Sequence, residues 1–153
     1  MEITSSAFKD GDEIAAKYTC EGNDLSPPLT FSDVPEDAKS LVLIVDDPDA
    51  PDPAAPKLTW VHWVLLDIPP DTASLPESVS TLPSGTKEGM NDWKRTGYGG
   101  PCPPIGRHRY FFKLYALDTT LELTSPTKTA VLSAMEGHVL AEAQMIGTYQ
   151  KAG

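Results

Sequence analysis

The sequence predicts one mainly β domain: an antiparallel β-sandwich with long Pro/Gly-rich loops and a C-terminal α-helix. Three observations lead there. Short runs rich in β-branched and aromatic residues lie between clusters of proline and glycine, which together number 26 in 153 residues. The strongest runs are apolar on both alternating sets, as in strands covered on both faces. A helical apolar period appears only after residue 126, which excludes alternating β/α architecture.

Five runs read as strands. "EIAAKYTC" (Glu13–Cys20) is the first, and "LTFSDV" (Leu29–Val34) follows "SPP". "SLVLIVD" (Ser40–Asp46) is apolar until it meets its terminal carboxylate. "TWVHWVLLDI" (Thr59–Ile68) and "HRYFFKLYALD" (His108–Asp118) complete the set. Prolines fall at the ends of these runs, where a missing N–H costs no ladder bond. Between the last two strands, "NDWKRTGYGGPCPPIGR" (Asn91–Arg107) is a loop long enough to suggest a function. From Thr129 to Tyr149 the apolar residues Val131, Leu132, Met135, Val139, Ile146 and Tyr149 approximate a helical stripe, with Thr127 or Thr129 as its cap and Gly137 and Gly147 as weak points. No repeat or linker divides the chain, so residues 1–153 read as a single domain.

Twenty-two acids against twelve bases give a net charge of −10. A field of that sign repels nucleic acid and anionic lipid, so neither is an expected partner. No apolar stretch reaches membrane-spanning length and no signal segment is evident, which makes a cytoplasmic location the default and membrane insertion unexpected. Cys20 and Cys102 form neither a disulfide framework nor a metal knuckle. Two free thiols are the default and one long-range bridge is the alternative, since pairing needs geometry.

Strand alternation puts His62 on one face with Trp60, Val64 and Leu66, and His108 with Tyr110, Phe112 and Leu114. A buried imidazole needs partners for both nitrogens. Each histidine is either a core residue bonded to a backbone carbonyl or part of a cavity. In the second reading His62, His108 and Tyr110 meet one or two of Asp46, Asp47 and Asp49, whose carboxylates orient the imidazoles or raise their pKa values. The backbone N–H groups of Gly99 and Gly100 add donors, because glycine lets main chain approach a ligand closely. Imidazoles, a phenol and free N–H groups suit a phosphate-like or carboxylate-like anion. Signatures of serine hydrolases, zinc peptidases, P-loops and dinucleotide folds are missing, so neither metal nor cofactor is expected.

The ordered set "DDPDAP", "WVHWVL" and "GGPCPPIGRHRYFFKLYALD" resembles the phosphatidylethanolamine-binding protein family, which includes the Raf kinase inhibitor proteins. The likeness is strongest to its short bacterial and archaeal branch, through "YTCEGNDLSPPLTF", "GTKEGMNDW" and "AMEGHVLAEAQMIGTY", and it covers nearly the whole chain. The resemblance implies a β-sandwich with a small anion cavity that accepts phosphate, phosphorylethanolamine or acetate. By motif position it implies ligand-binding roles for Asp47, Asp49, His62, Gly100 (through its N–H), Pro101, His108 and Tyr110, and a cis bond at Ala50–Pro51. Arg107 is a departure, either a cationic handle for the pocket or a solvated side chain. The expected function is a non-enzymatic protein that binds a small anion or phosphoryl headgroup and modulates a signalling partner. The alternatives are an inhibitor of a kinase or protease acting through surface loops, and a His/Asp hydrolase. A second copy of the chain is a further candidate partner, through Trp93 and Tyr98 if these aromatics do not instead cover their own loop.

Overall fold

A computed structural model describes residues 1–151. Eight strands and one helix follow in order: β1 (Glu2–Thr4), β2 (Leu29–Ser32), β3 (Ser40–Ala50), β4 (Leu58–Ile68), β5 (Ser74–Leu75), β6 (Lys87–Glu88), β7 (His108–Leu117), α1 (Lys128–Met135) and β8 (Val139–Tyr149). They form two antiparallel sheets, β1-β2-β5 and β6-β4-β3-β7-β8. The larger sheet is the backbone of the domain, and β3 and β4 lie at its centre.

Both faces of that sheet are buried, which explains the unbroken apolar runs of β3 and β4. One face packs against the small sheet and the N-terminal segment through Leu41, Leu43, Val45, Trp63, Leu65, Tyr110 and Phe112. The other face carries Val42, Ile44, Val61, Val64 and Leu66 under α1, where Val131 and Met135 close the layer.

Three expectations are corrected. Glu13–Cys20 is not a strand; apart from a single bridge from Glu13 to Thr148 it holds only a 3-10 turn at Ala16–Tyr18. The run at Ser40 does not stop on its carboxylates, because β3 continues through the acids to Ala50. The helix after Thr127, whose hydroxyl accepts from the Ala130 N–H, ends at Met135. Gly137 then takes a positive φ of 79° and the chain returns as β8, paired along its length with β7. Residues 141–149 alternate half-buried or buried with more exposed positions, a period of two that puts Tyr149 inward and Ile146 on the other face. Gly147 belongs to this strand because Ile14 packs on it: a Cβ there would lie 2.5 Å from the Ile14 side chain.

Cys20 and Cys102 are joined in a disulfide, so the free-thiol default is overturned. The two residues, 82 apart in sequence, meet because Cys20 N–H donates to the Pro101 carbonyl and Tyr98 Oη donates to the Tyr18 carbonyl. Both cysteines are solvent-exposed. No helix among the described residues is long and apolar enough to cross a membrane.

Closing a loop of this length should stabilise the fold by about 4 kcal/mol, mostly by restricting the unfolded chain. The double variant Cys20→Ser/Cys102→Ser should therefore unfold at clearly lower denaturant concentration, and wild type with reductant should match it. Coincident unfolding curves for all three would contradict this.

Candidate functional site

A cavity of about 410 Å³ opens where the ends of β3, β4 and β7 meet the loop 91–107. Its lining includes Asp47, His62, His108 and Tyr110, together with Trp60, Trp93, Lys57 and Leu58. Adjacent strands of one sheet supply the four polar residues.

His62 reaches this cavity through a β-bulge. Val45 pairs with Trp63 but Asp46 pairs with Val61, so His62 is the extra residue on β4. Strand alternation, which grouped His62 with Val64 and Leu66, is thereby broken. Val61, Val64 and Leu66 all face α1, while His62 contacts Tyr110 on the opposite side. Its face-mate Trp60 does line the cavity.

His62 is gripped from the loop. Its Nδ1 donates to the Gly99 carbonyl at 2.7 Å, and the Gly99 N–H donates back to the His62 carbonyl at 3.0 Å. The ring is buried, and burial pushes its pKa down to about 4 against the opposing pull of the Gly99 carbonyl and of Asp46. No carboxylate holds this imidazole, contrary to the sequence reading. With Nδ1 as the donor, Nε2 is the acceptor of a neutral ring. No protein hydrogen bond to it is seen among the described residues.

His108 is a different case. Its Nδ1 meets the Asp47 carboxyl at 2.5 Å, and its Nε2 faces the carbonyls of Ile105 at 2.9 Å and Pro51 at 3.1 Å. Both nitrogens therefore face acceptors. Burial raises the Asp47 pKa and the bond to His108 draws it partly back. The other Asp47 oxygen accepts from the Asp49 N–H at 2.7 Å. Pro51 can present its carbonyl here after a cis Ala50–Pro51 bond, the isomer that the resemblance implied.

Tyr110 lies between the two imidazoles. Its ring is edge-on to His62 at 5.1 Å and stacked with His108 at 6.4 Å. The hydroxyl is buried and has no hydrogen-bond partner among the described residues. Burial raises its pKa far above the ordinary phenol value, so it is a neutral donor.

The remaining sequence candidates stand elsewhere. Asp49 lies off the cavity wall and takes a bidentate pair of bonds from Arg109, whose guanidinium lowers its pKa. Asp46 points to the α1 side, bonded to Lys113 and Lys128. Gly100 and Pro101 sit behind the wall. The N–H expected from Gly100 is already given to Asp24 at 2.8 Å and that of Gly99 to His62, so neither is a free donor. Gly100 is required there by close packing, since a Cβ would lie 2.3 Å from the Tyr18 carbonyl. Arg107 turns away to Glu13 and Thr148 and remains solvated. Tyr98 covers the core against Trp63.

Sequence reasoning missed Trp93, Asn91 and Asp24 as parts of the site. Trp93 contacts both His62 and Trp60, with ring centroids 5.0 and 5.6 Å away. The buried Asn91 side chain accepts from the Trp93 N–H and donates to the Gly97 carbonyl, which shapes the turn carrying that tryptophan. The signal was the "ND" at the head of a glycine-rich loop, a pair that commonly bonds its own backbone.

Comparison with known proteins agrees with this fold. The phosphatidylethanolamine-binding protein family profile matches residues 4–150. The chain belongs to the phosphatidylethanolamine-binding protein family. A UPF0098 protein of Methanothermobacter thermautotrophicus is 52% identical over 155 residues, covering 99% of each chain. Among solved structures, the phosphatidylethanolamine-binding protein homolog CT736 of Chlamydia trachomatis is similar with a TM-score of 0.91 at 44% identity, covering 99% of this chain and 97% of that one. YbcL of E. coli, described as a member of the mammalian family, gives 0.88 at 33% identity, covering 99% and 98%. In this member of the family, then, the histidine on β4 is held by a loop carbonyl and the histidine on β7 by an aspartate.

The neutral His62 makes stability depend on pH. Its folded pKa of about 4 lies below the unfolded value near 6.5. The unfolded chain therefore takes up the proton first, so the contribution is whole above about pH 6.5 and is lost as pH falls toward 4. Between about pH 7 and 5 this should cost on the order of 1–2 kcal/mol. Denaturant titrations at the two pH values should show it in wild type and much less of it in His62→Asn; equal losses in both proteins would contradict the assignment.

Proposed function

We propose that the chain is a binding protein for a small anion or phosphoryl group, held in the cavity at Tyr110 without turnover. The observation that supports this most is the buried, unpartnered Tyr110 hydroxyl. A polar group in that state costs free energy unless something bonds it, and Tyr110 is one of the residues lining the cavity, set between two rings whose positions are fixed. Family membership supports the same reading.

The chemistry differs from the simple picture of imidazoles attracting an anion. Tyr110 Oη donates to a bare oxygen of the ligand. His62 Nε2, an acceptor, takes a bond from a hydroxyl of the ligand. One donor beside one acceptor matches an acid that still carries one proton, such as a phosphate monoanion, better than a dianion. Lys57 at the lip, a cation with no ion pair among the described residues, adds the attraction that the acidic surface lacks. Asp47 and His108 brace the floor: both His108 nitrogens are taken by fixed acceptors, so the pair is poorly placed to shuttle protons. The Cys102 sulfur on the wall is committed to its disulfide. These features favour binding over catalysis.

Calorimetric titration with inorganic phosphate tests the reading. Wild type should bind and leave the ligand unchanged. Tyr110→Phe should weaken binding by about tenfold, the worth of one hydrogen bond to a charged group, with the fold intact by circular dichroism. His62→Ala should weaken it as well. Unaltered affinity in both variants would count decisively against the site.

A second titration separates donor from acceptor. Phosphate should bind more tightly near pH 5.5 than near pH 8, because the dianion offers His62 no hydroxyl. The other charged groups facing this corner are the Asp47–His108 pair, Asp46, Asp92 and Lys57. An Asp47→Asn control identifies any part of the pH profile owed to that pair. Tighter binding at pH 8 would overturn the acceptor role of His62.

A further inference from the structure

The floor of the cavity is polar, but its walls are not. Beyond Tyr110 and His62 the surface is made by Leu58, Trp60, Trp93, Pro103 and Pro104, with Ala50 and Pro51 beside them. Leu58 and Trp93 remain 48% and 38% exposed, and Ile105 just outside is 56% exposed. Apolar area of this kind, gathered round one opening, marks a contact surface rather than chance exposure. The volume of about 410 Å³ is far larger than a phosphate ion and falls within the range of organic ligand sites.

A polar substituent on the ligand would find little to meet. The carboxylate that could attract an ammonium is Asp47, and both of its oxygens are already bonded, one to His108 and one to the Asp49 N–H. Asp49 is similarly taken by Arg109. Lys57 lines the opening with no ion pair among the described residues, and the Arg95 guanidinium lies 6.0 Å from the Trp93 ring; both cations repel an ammonium.

We propose that the ligand is a singly charged phosphate monoester, or a comparable organic acid, whose substituent is apolar. This rests on the preceding reading of the site and deepens it. The acid group sits at Tyr110 and His62, and the substituent lies against Trp60, Trp93 and Leu58. Aromatic and aliphatic substituents share this chemistry. An ethanolamine-bearing headgroup does not.

Four probes at one pH near 6 test it by calorimetry: inorganic phosphate, phosphorylethanolamine, phenyl phosphate and hexyl phosphate. Phenyl or hexyl phosphate should bind about tenfold or more tightly than inorganic phosphate, the return on burying a six-carbon group. Phosphorylethanolamine should bind no more tightly than inorganic phosphate. A lead for phenyl phosphate assigns an aromatic ligand and a lead for hexyl phosphate an aliphatic, lipid-like one; either supports the proposal. Trp93→Ala should bring the ratio of monoester to phosphate affinity toward unity. Leu58→Ser, at a half-exposed position, should do the same with little risk to folding. If phosphate binds but all four affinities are equal, or phosphorylethanolamine binds best, the apolar-substituent proposal is overturned and the anion site stands. If none of the four binds, both are overturned.

Discussion

The reciprocal bonds between His62 and Gly99 are the constraint on which the site depends. A bulge in β4 frees His62 from the regular ladder, and the loop then takes hold of it with a carbonyl on the ring and an N–H on the backbone. The carbonyl decides which nitrogen carries the proton. Burial decides that there is only one. From those two facts follow the acceptor at the cavity floor, the room beside it for a ligand hydroxyl, and the pairing with the Tyr110 donor. Without the bulge, His62 would face α1 beside Val64 and Leu66, and the cavity would lose its acceptor.

The loop can hold His62 because it is itself held. Asp24 bonds the Gly100 N–H, Cys20 bonds the Pro101 carbonyl, Tyr98 reaches the Tyr18 carbonyl, and the disulfide joins the same two segments covalently. Four links over five residues turn a glycine- and proline-rich stretch into a wall. On the opposite side the Asp47–His108 pair fixes β3 against β7 and ties in the cis-proline turn. Polar groups that look available in the sequence are thus mostly spent on architecture. The groups left for a ligand are few, and in the proposed reading that scarcity is what would make the site selective.

Much of the fold was legible because burial on both faces leaves a simple mark. β3, β4 and β7 were evident from runs that carry apolar residues on both alternating sets, and Ser40, Thr59 and His108 lie within one residue of the observed starts. β8 was not evident, since Ala141, Ala143 and Gly147 on its inward face are too small to register as apolar and only Met145 and Tyr149 there are large, while exposed Val139 and outward Ile146 drew the eye to a helical stripe. The residues His62, His108, Tyr110 and Asp47 could be named from strand faces and motif position. Their roles could not. Spacing does not reveal a bulge, and no pattern says that His108 takes the carboxylate while His62 takes a carbonyl. The N–H of Gly100 looked free because Asp24, its partner, lies 76 positions away.

The most direct measurement is nitrogen NMR of the histidine side chains in uniformly labelled protein, followed from about pH 5 to 8. The account predicts that His62 keeps one protonated nitrogen and one bare nitrogen throughout, with Nδ1 bearing the proton, and that the bare Nε2 resonance moves when phosphate is added. A His62 ring that is protonated on both nitrogens at about pH 6, or an Nε2 signal indifferent to phosphate, would contradict it.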